Sequence, residues 1–244
     1  MKKIFAFDID GTVVHSWRCC TEGDVCVEWI DGREQGYISK RMLDILLRMR
    51  ASYELIPVTL RSLAQYKRIV WPKNIRPISA FVDNAAFLLH FAESQETEIE
   101  DIRSTTDRLQ EARLNQIAEL LTSRREISSF RIVDGVYVLG ILNDPNCEFK
   151  LAPMVDDYRY FRDKKKIYIL PKNLEKANAV CRIRSMFPGC QVIAAGDTEN
   201  DLSMLHVSDQ GVLPSDLSNE PLSYEIHLTS CLEAMLSKEG HDGA

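Results

Sequence analysis

The sequence predicts an α/β protein, a parallel sheet covered by helices on both faces, with a smaller α+β module inserted into it. Three observations predict this. Short apolar strands alternate with amphipathic helices over residues 3–84, the alternation resumes near residue 166, and between them the rhythm changes to one long polar helix followed by a hairpin. The length agrees, since 244 residues are long for one minimal domain and short for two full ones.

Lys3–Ile9 is an apolar run that reads as a buried strand. Val25–Ile30 and Gln35–Ile38 flank the turn dipeptide Asp31-Gly32, which predicts a β-hairpin. Ser39 is placed to cap a helix over Lys40–Arg50, with Met42, Leu43, Leu46 and Leu47 on one face. Glu54–Thr59 reads as the next strand, Leu63–Val70 as a helix and Ala80–Asn84 as a third strand. The insert is expected over 87–165, with a helix of about Thr105–Arg125 and a hairpin around Asp134-Gly135. The core domain is expected over 1–86 and 166–244. Its later part holds strands at Lys166–Leu170 and Gln191–Ala195, helices at Leu174–Phe187 and Leu202–His206, and short strands at Gln210–Leu213 and Glu225–Leu228.

Composition narrows the function classes. Hydrophobic residues make up 45% and charged residues 27%, and the net charge of −6 gives no nucleic-acid footprint. The basic runs Lys164-Lys165-Lys166 and Arg124-Arg125 read as solvated faces. Seven scattered cysteines with no C-x-x-C pair speak against a zinc site or a disulfide framework, and for a reducing compartment. Asp8 interrupts the apolar run that follows Lys2-Lys3, which argues against a signal peptide, and no segment reaches membrane-spanning length. A cytoplasmic protein without a membrane partner is expected.

The chemistry is concentrated at strand ends. FDIDGTVV places Asp8 and Asp10 at the close of the first strand, with no Lys or Arg close by in sequence. Strand alternation turns both carboxylates the same way, so they repel unless a cation or a shared proton intervenes. A metal site or a proton-sharing pair follows, and hard cations such as Mg²⁺ prefer oxygen ligands. Gly11 lets the backbone turn closely about a ligand, and Thr12 adds a hydroxyl and an N–H. Strand QVIAA ends in GDTEND, with Asp197, Glu199 and Asp201; strand ELIPVT ends in Thr59 with Arg61 beyond; Lys176 stands at a helix start. Ligands of parallel sheets bind at such carboxyl ends, and this set suits a phosphate beside Mg²⁺.

DIDGT, V-T-x-R, P-K-N-L-E-K and GDTENDLSML, in that order, resemble the four motifs of the haloacid dehalogenase (HAD) superfamily, and FVDNAAFLL resembles its N-G-A stretch. The insert stands where that superfamily's type-2 cap does. The resemblance is nearest to its sucrose-phosphate, trehalose-phosphate and mannosyl-3-phosphoglycerate phosphatases, and it covers the core but not the cap sequence. It implies a Rossmann-like core and a Mg²⁺-dependent phosphatase of a small phosphorylated metabolite, foremost a sugar phosphate. In the implied roles Asp8 is the nucleophile, Asp10 the general acid/base, and Lys176 stabilises charge on the phosphate and on Asp8. The implied metal ligands are the Asp8 side chain, the Asp10 backbone carbonyl and the Asp197 side chain, with Asp201 either a further ligand or a residue just behind the ligands, and Asn200 orienting the loop. Thr59, Leu60, Arg61, Gly11 and Asn200 are the phosphate-binding set. Lys172 competes with Lys176, but the spacing from Pro171 selects Lys176. Leu60 and Ala85 stand where glycine is usual, as does Ala177.

The hairpin at Val25–Ile38 matches a flap of that superfamily, so Trp17, Trp29 and Arg33 are weighed as enclosing a substrate, against ordinary packing. His15 reads as structural. Asp134, Tyr137, Asn143 and Lys150 are the cap's candidate specificity residues, whereas Arg108, Arg113, Arg124 and Arg125 read as a solvated face. A phosphomutase of the phosphomannomutase kind, and a non-catalytic binding module, are the alternatives. The expected partner is a small phosphate ester.

Overall fold

The computed structural model describes residues 1–91, 97–103, 111–150, 156–212 and 221–241. It divides into two compact units, Met1–Glu100 with Glu175–Ala244, and Asp101–Leu174.

In the first unit the strand Lys3–Phe7 is central. Ile4 to Phe7 are all buried, so the run is apolar without alternation, as a strand covered on both faces requires. Tyr53–Pro57 and Gln191–Ala195 pair with it in parallel on opposite sides, and Gln210–Val212 lies parallel beyond Gln191–Ala195. A parallel bridge between Val58 and Phe81 brings Ser79–Val82 beside Tyr53–Pro57. The register positions the site. Phe7 pairs with both Ala195 and Pro57, so three strands finish level. Asp8, Gly196-Asp197 and Val58-Thr59 therefore emerge together at one edge. The chain leaves Lys3–Phe7 to one side and returns on the other, the switch point where open α/β sheets take their ligands.

Ser39 caps the helix Lys40–Met49, its hydroxyl accepting from Met42 N at 3.1 Å. The buried face is Met42, Ile45, Leu46 and Met49, while the expected Leu47 is exposed. This face meets Phe5, Phe7, Leu55 and Ile193 in one core cluster. Tyr224, Leu228 and Leu232 join the same cluster from the helix Pro221–His241. That helix corrects the strand expected at Glu225–Leu228. Four residues of EIHL are too few to tell periods, whereas burial every fourth residue from Tyr224 to Leu232 is helical. The helix expected over Leu63–Val70 stops at Tyr66. Beyond it the backbone turns to the hairpin, where Val70 N donates to Val27 O at 2.8 Å.

The hairpin Val25–Ile30 and Arg33–Ile38 forms as expected, with Asp31 at φ 51° and Gly32 at φ 74°, the left-handed pair of a type I′ turn. Phe87–Phe91 pairs antiparallel with Ser79–Val82 and so belongs to the first unit rather than to the insert.

In the second unit Ile127–Val133, Tyr137–Leu142, Lys166–Pro171 and Tyr158–Asp163 form an antiparallel sheet. Lys166–Leu170, expected as a parallel core strand, is thus corrected. It lies between two antiparallel neighbours, and Ile167 and Ile169 bury one face while the core resumes only at Glu175. A short apolar run reads alike in either kind of sheet. The helix Glu111–Thr122 lays Leu114, Ile117 and Leu121 on Val138, Leu142, Ile167 and Ile169. The start of the expected helix, including Arg108, lies outside the described residues. Among the described residues no helix is long and apolar enough to cross a membrane.

After Val82 the chain turns through Asp83, Asn84 and Ala85 at φ 52°, 58° and 68°. Asparagine and aspartate tolerate this region, but an alanine Cβ is strained there by roughly 1–2 kcal/mol. Ala85→Gly is therefore expected to stabilise the protein by roughly 0.5–1 kcal/mol, after the entropy that glycine adds to the unfolded chain. A urea melt checks the sign; a destabilised variant would contradict the strain.

Candidate active site

Asp8 is the first residue past the central strand, with its N–H bonded to Ala195 O at 2.9 Å. Its carboxylate is buried. Lys176, the residue before the helix Ala177–Met186, is 1% exposed and brings Nζ to 2.6 Å from Asp8 Oδ1 and 2.5 Å from Asp201 Oδ1. Asp201 is fixed in turn by Thr198, whose N and Oγ1 donate to Asp201 Oδ2 at 2.9 and 2.7 Å. Thr12 Oγ1 donates to Asp197 Oδ1 at 3.0 Å. Two glycines allow the approach. A Cβ on Gly11, at φ 79°, would stand 2.2 Å from Asp197 Oδ2, and one on Gly196 would stand 2.3 Å from Asp201 Cβ.

Asp8, Asp197 and Asp201 each offer an oxygen within 4.8 Å of the others. With all three carboxylates ionised, the single ammonium leaves two negative charges. Burial pushes the Asp8 carboxyl well above the usual range; Lys176 opposes this, and Asp201, Asp197 and Asp10 reinforce it. Burial, then Asp201, raises Asp197 to about 7. Burial pulls Lys176 down, but Asp201 and Asp8 outweigh it and raise the ammonium above its ordinary value. An all-oxygen set with two uncompensated charges fits a hard divalent cation.

Asp10 faces another partner. Arg61 Nε and Nη2 each donate to it at 2.7 Å, a two-pronged grip, and Nη2 also donates to Glu28 at 2.8 Å. Arg61, expected as a phosphate contact, is thus engaged with carboxylates. The two aspartates that have no cation nearby in sequence acquire Lys176 and Arg61 in space. Thr59 is buried, its hydroxyl accepting from Arg61 N at 3.1 Å. Asn84 N donates to Thr59 O at 2.9 Å, and Asn200 Nδ2 donates to Asn84 Oδ1 at 2.7 Å. Asn200 thereby ties the GDTEND turn to the Asp83–Ala85 turn.

Glu199 and Lys172 are exposed, as is Arg33, and Trp17 and Trp29 are 47% and 40% exposed. His15 is buried against Asp24, Nε2 to Oδ2 at 3.1 Å. In the second unit Asp134 occupies a hairpin turn at φ 46° and Tyr137 is buried in the sheet. Asn143 holds Arg125 O at 2.8 Å, and Lys150 pairs with Glu148 at 2.6 Å. Arg113 donates to Gln116 and Arg124 to the Lys150 carbonyl. Sequence reasoning missed Glu28, a buried acid that no local pattern marks.

The sequence model of the haloacid dehalogenase-like hydrolases matches residues 146–216, a stretch that takes in Lys176 and Asp197–Asp201. The fold is similar to that of the trehalose-6-phosphate phosphatase C-terminal domain of C. albicans, at TM-score 0.60 and 14% identity over 95% of this chain and 92% of that one. A haloacid dehalogenase-like hydrolase of Bacteroides thetaiotaomicron aligns at TM-score 0.58 and 16% identity, over 96% and 100% of the two chains. An IMP-bound IMP-nucleotidase of Plasmodium falciparum aligns at 0.55 and 10%, over 93% and 68%. No curated protein sequence matches significantly. The chain therefore has the HAD-like fold, a parallel α/β core with additional antiparallel sheets.

Burial raises Asp197 from the ordinary aspartate value of 3.8 to about 7, so between these values the folded chain keeps a proton that the unfolded chain loses. Stability contributed by this group falls as pH rises through that window. Melting temperatures of the metal-free protein against Asp197→Asn should show wild type losing ground from pH 4 to 7. A hard divalent cation should raise the wild-type melting temperature more at pH 8 than at pH 5.5, since it binds the ionised carboxylates. A wild-type-minus-variant difference flat with pH would contradict the assignment.

Proposed function

We propose that this chain, with its HAD-like hydrolase fold, is a Mg²⁺-dependent phosphatase that cleaves a small phosphorylated metabolite through an aspartyl-phosphate on Asp8. The observation that carries the proposal is the buried Asp8 carboxylate at the end of the central strand, with Lys176 at 2.6 Å and Asp197 and Asp201 beside it. Sugar phosphates are the substrate class best supported, because several of the solved structures that share the fold are trehalose-6-phosphate phosphatases.

In this reading an Asp8 oxygen attacks phosphorus as the bond to the leaving oxygen breaks. The covalent step divides one displacement into two easier ones. Lys176 neutralises charge that builds on the phosphoryl oxygens and orients Asp8. Thr59 donates its hydroxyl proton to a phosphoryl oxygen. Asp10 gives a proton to the departing alcohol and then takes one from the water that hydrolyses the aspartyl-phosphate. Asp8, Asp197 and Asp201 would hold Mg²⁺, which when bound lowers the charge repulsion between carboxylates and phosphate.

Phosphate release from sugar phosphates, phosphoglycerates and nucleotides, with Mg²⁺ or with EDTA, tests this. Release should require Mg²⁺, vanish in Asp8→Asn, and slow by about 10²–10⁴-fold in Asp10→Asn. An Asp8→Asn protein that releases phosphate at the wild-type rate would refute the role given to Asp8.

A further inference from the structure

Glu28 is a buried acid to which the reaction above gives no task. It lies on Val25–Ile30, 4% exposed. Arg61 Nη2 reaches its Oε2 at 2.8 Å and Arg68 Nε its Oε1 at 2.9 Å. The same Nη2 donates to Asp10 Oδ1 at 2.7 Å. Charges therefore alternate along one chain of contacts, Asp10, Arg61, Glu28, Arg68.

The backbone is shaped around this side chain. The hairpin register shifts on both sides of Glu28, against Cys26 and against Trp29, and bulges of this kind re-aim a side chain. Glu28 also bridges to Ile69, next to Arg68. Across the hairpin Gly36 leaves the space, since a Cβ there would stand 3.2 Å from Glu28 Cβ and 3.3 Å from its Oε2. Asp10 is the opposite case. Its side chain is 59% exposed, and both of its oxygens are bonded to Arg61. An exposed carboxylate keeps its rotamer freedom unless its partner is itself fixed. Arg61 is fixed: its side chain is 10% exposed, with Glu28 behind it.

We infer that Glu28 is a positioning residue: through Arg61 it holds the Asp10 carboxyl group in the orientation from which a proton passes to the leaving oxygen. The inference rests on the phosphatase reading above. As the bond from Asp8 to phosphorus forms and the bond from phosphorus to the leaving oxygen breaks, the proton moves from Asp10 to that oxygen. The products are the alcohol, the aspartyl-phosphate on Asp8 and an Asp10 carboxylate. A misplaced Asp10 harms this step in proportion to the leaving group's need for a proton.

The test compares first-turnover release of the leaving group from two esters. One is p-nitrophenyl phosphate, whose leaving group needs little protonation. The other is whichever sugar phosphate of the panel wild type cleaves fastest. Glu28→Gln keeps the shape and removes the charge, and Glu28→Asp keeps the charge and withdraws it from Arg61. Each should slow sugar release by about ten-fold or more and p-nitrophenol release by less than about three-fold. Equal losses on both esters, the mark of general damage, overturn the inference, as does no loss on either. A wild type that cleaves neither ester removes the phosphatase reading itself and this inference with it.

Discussion

The ammonium of Lys176 is the contact on which the acidic edge of the sheet depends. A buried lysine without a partner is untenable, and so are clustered buried carboxylates without a cation. Here each solves the other's problem, with Nζ at 2.6 Å from Asp8 and 2.5 Å from Asp201. The three residues come from the end of the first strand, the start of the helix Ala177–Met186 and the turn at Glu199–Asp201. Pairing of Lys3–Phe7 with Gln191–Ala195 sets Asp8 and the turn that carries Asp201 level, and Lys176 reaches both from the start of its helix. Breaking a buried pair of this kind by removing one partner costs about 3–5 kcal/mol. The same residues are thus asked to stabilise the fold and to keep residual negative charge for a cation.

Most of this edge could be read from the sequence because its signals are local. A continuous apolar run that ends in acids and a glycine, as in FAFDIDG and IAAGDTEND, marks the carboxyl end of a buried strand without knowledge of its neighbours. The hairpin at Asp31-Gly32 and the cap at Ser39 were equally local, since one dipeptide and one hydroxyl decide them. Lys166–Pro171 and the segment after Pro221 show where local reading ends. The first is an apolar run whose partners settle whether it is parallel, and the second has a period visible only over several turns of helix.

The Asp10, Arg61, Glu28 and Arg68 network lay beyond such reading. Arg61 follows a phosphate-contact pattern in sequence, yet its guanidinium is divided between two carboxylates. Burial opposes its charge, and Asp10 and Glu28 more than offset this. Glu28 sits within VCVEWI, where alternation alone would pair it with Cys26, and a bulge that no residue announces turns it toward Arg61. The Asp83–Ala85 turn is similar. Its three left-handed residues follow from bonds of Asp83 N to Arg61 O and of Asn84 N to Thr59 O, both at 2.9 Å, and not from a glycine.

The central claim is that Asp8 carries the phosphoryl group. Its most direct test is chemical trapping: Asp10→Asn protein, in which hydrolysis of the aspartyl-phosphate is slowed, is mixed with Mg²⁺ and a cleaved sugar phosphate, quenched in acid and reduced with borohydride. Peptide mass spectrometry then locates the reduced residue. The account predicts homoserine at position 8 and an unmodified aspartate at position 197. Reduction at another aspartate, or an unmodified Asp8 in protein that has released its alcohol, would contradict it.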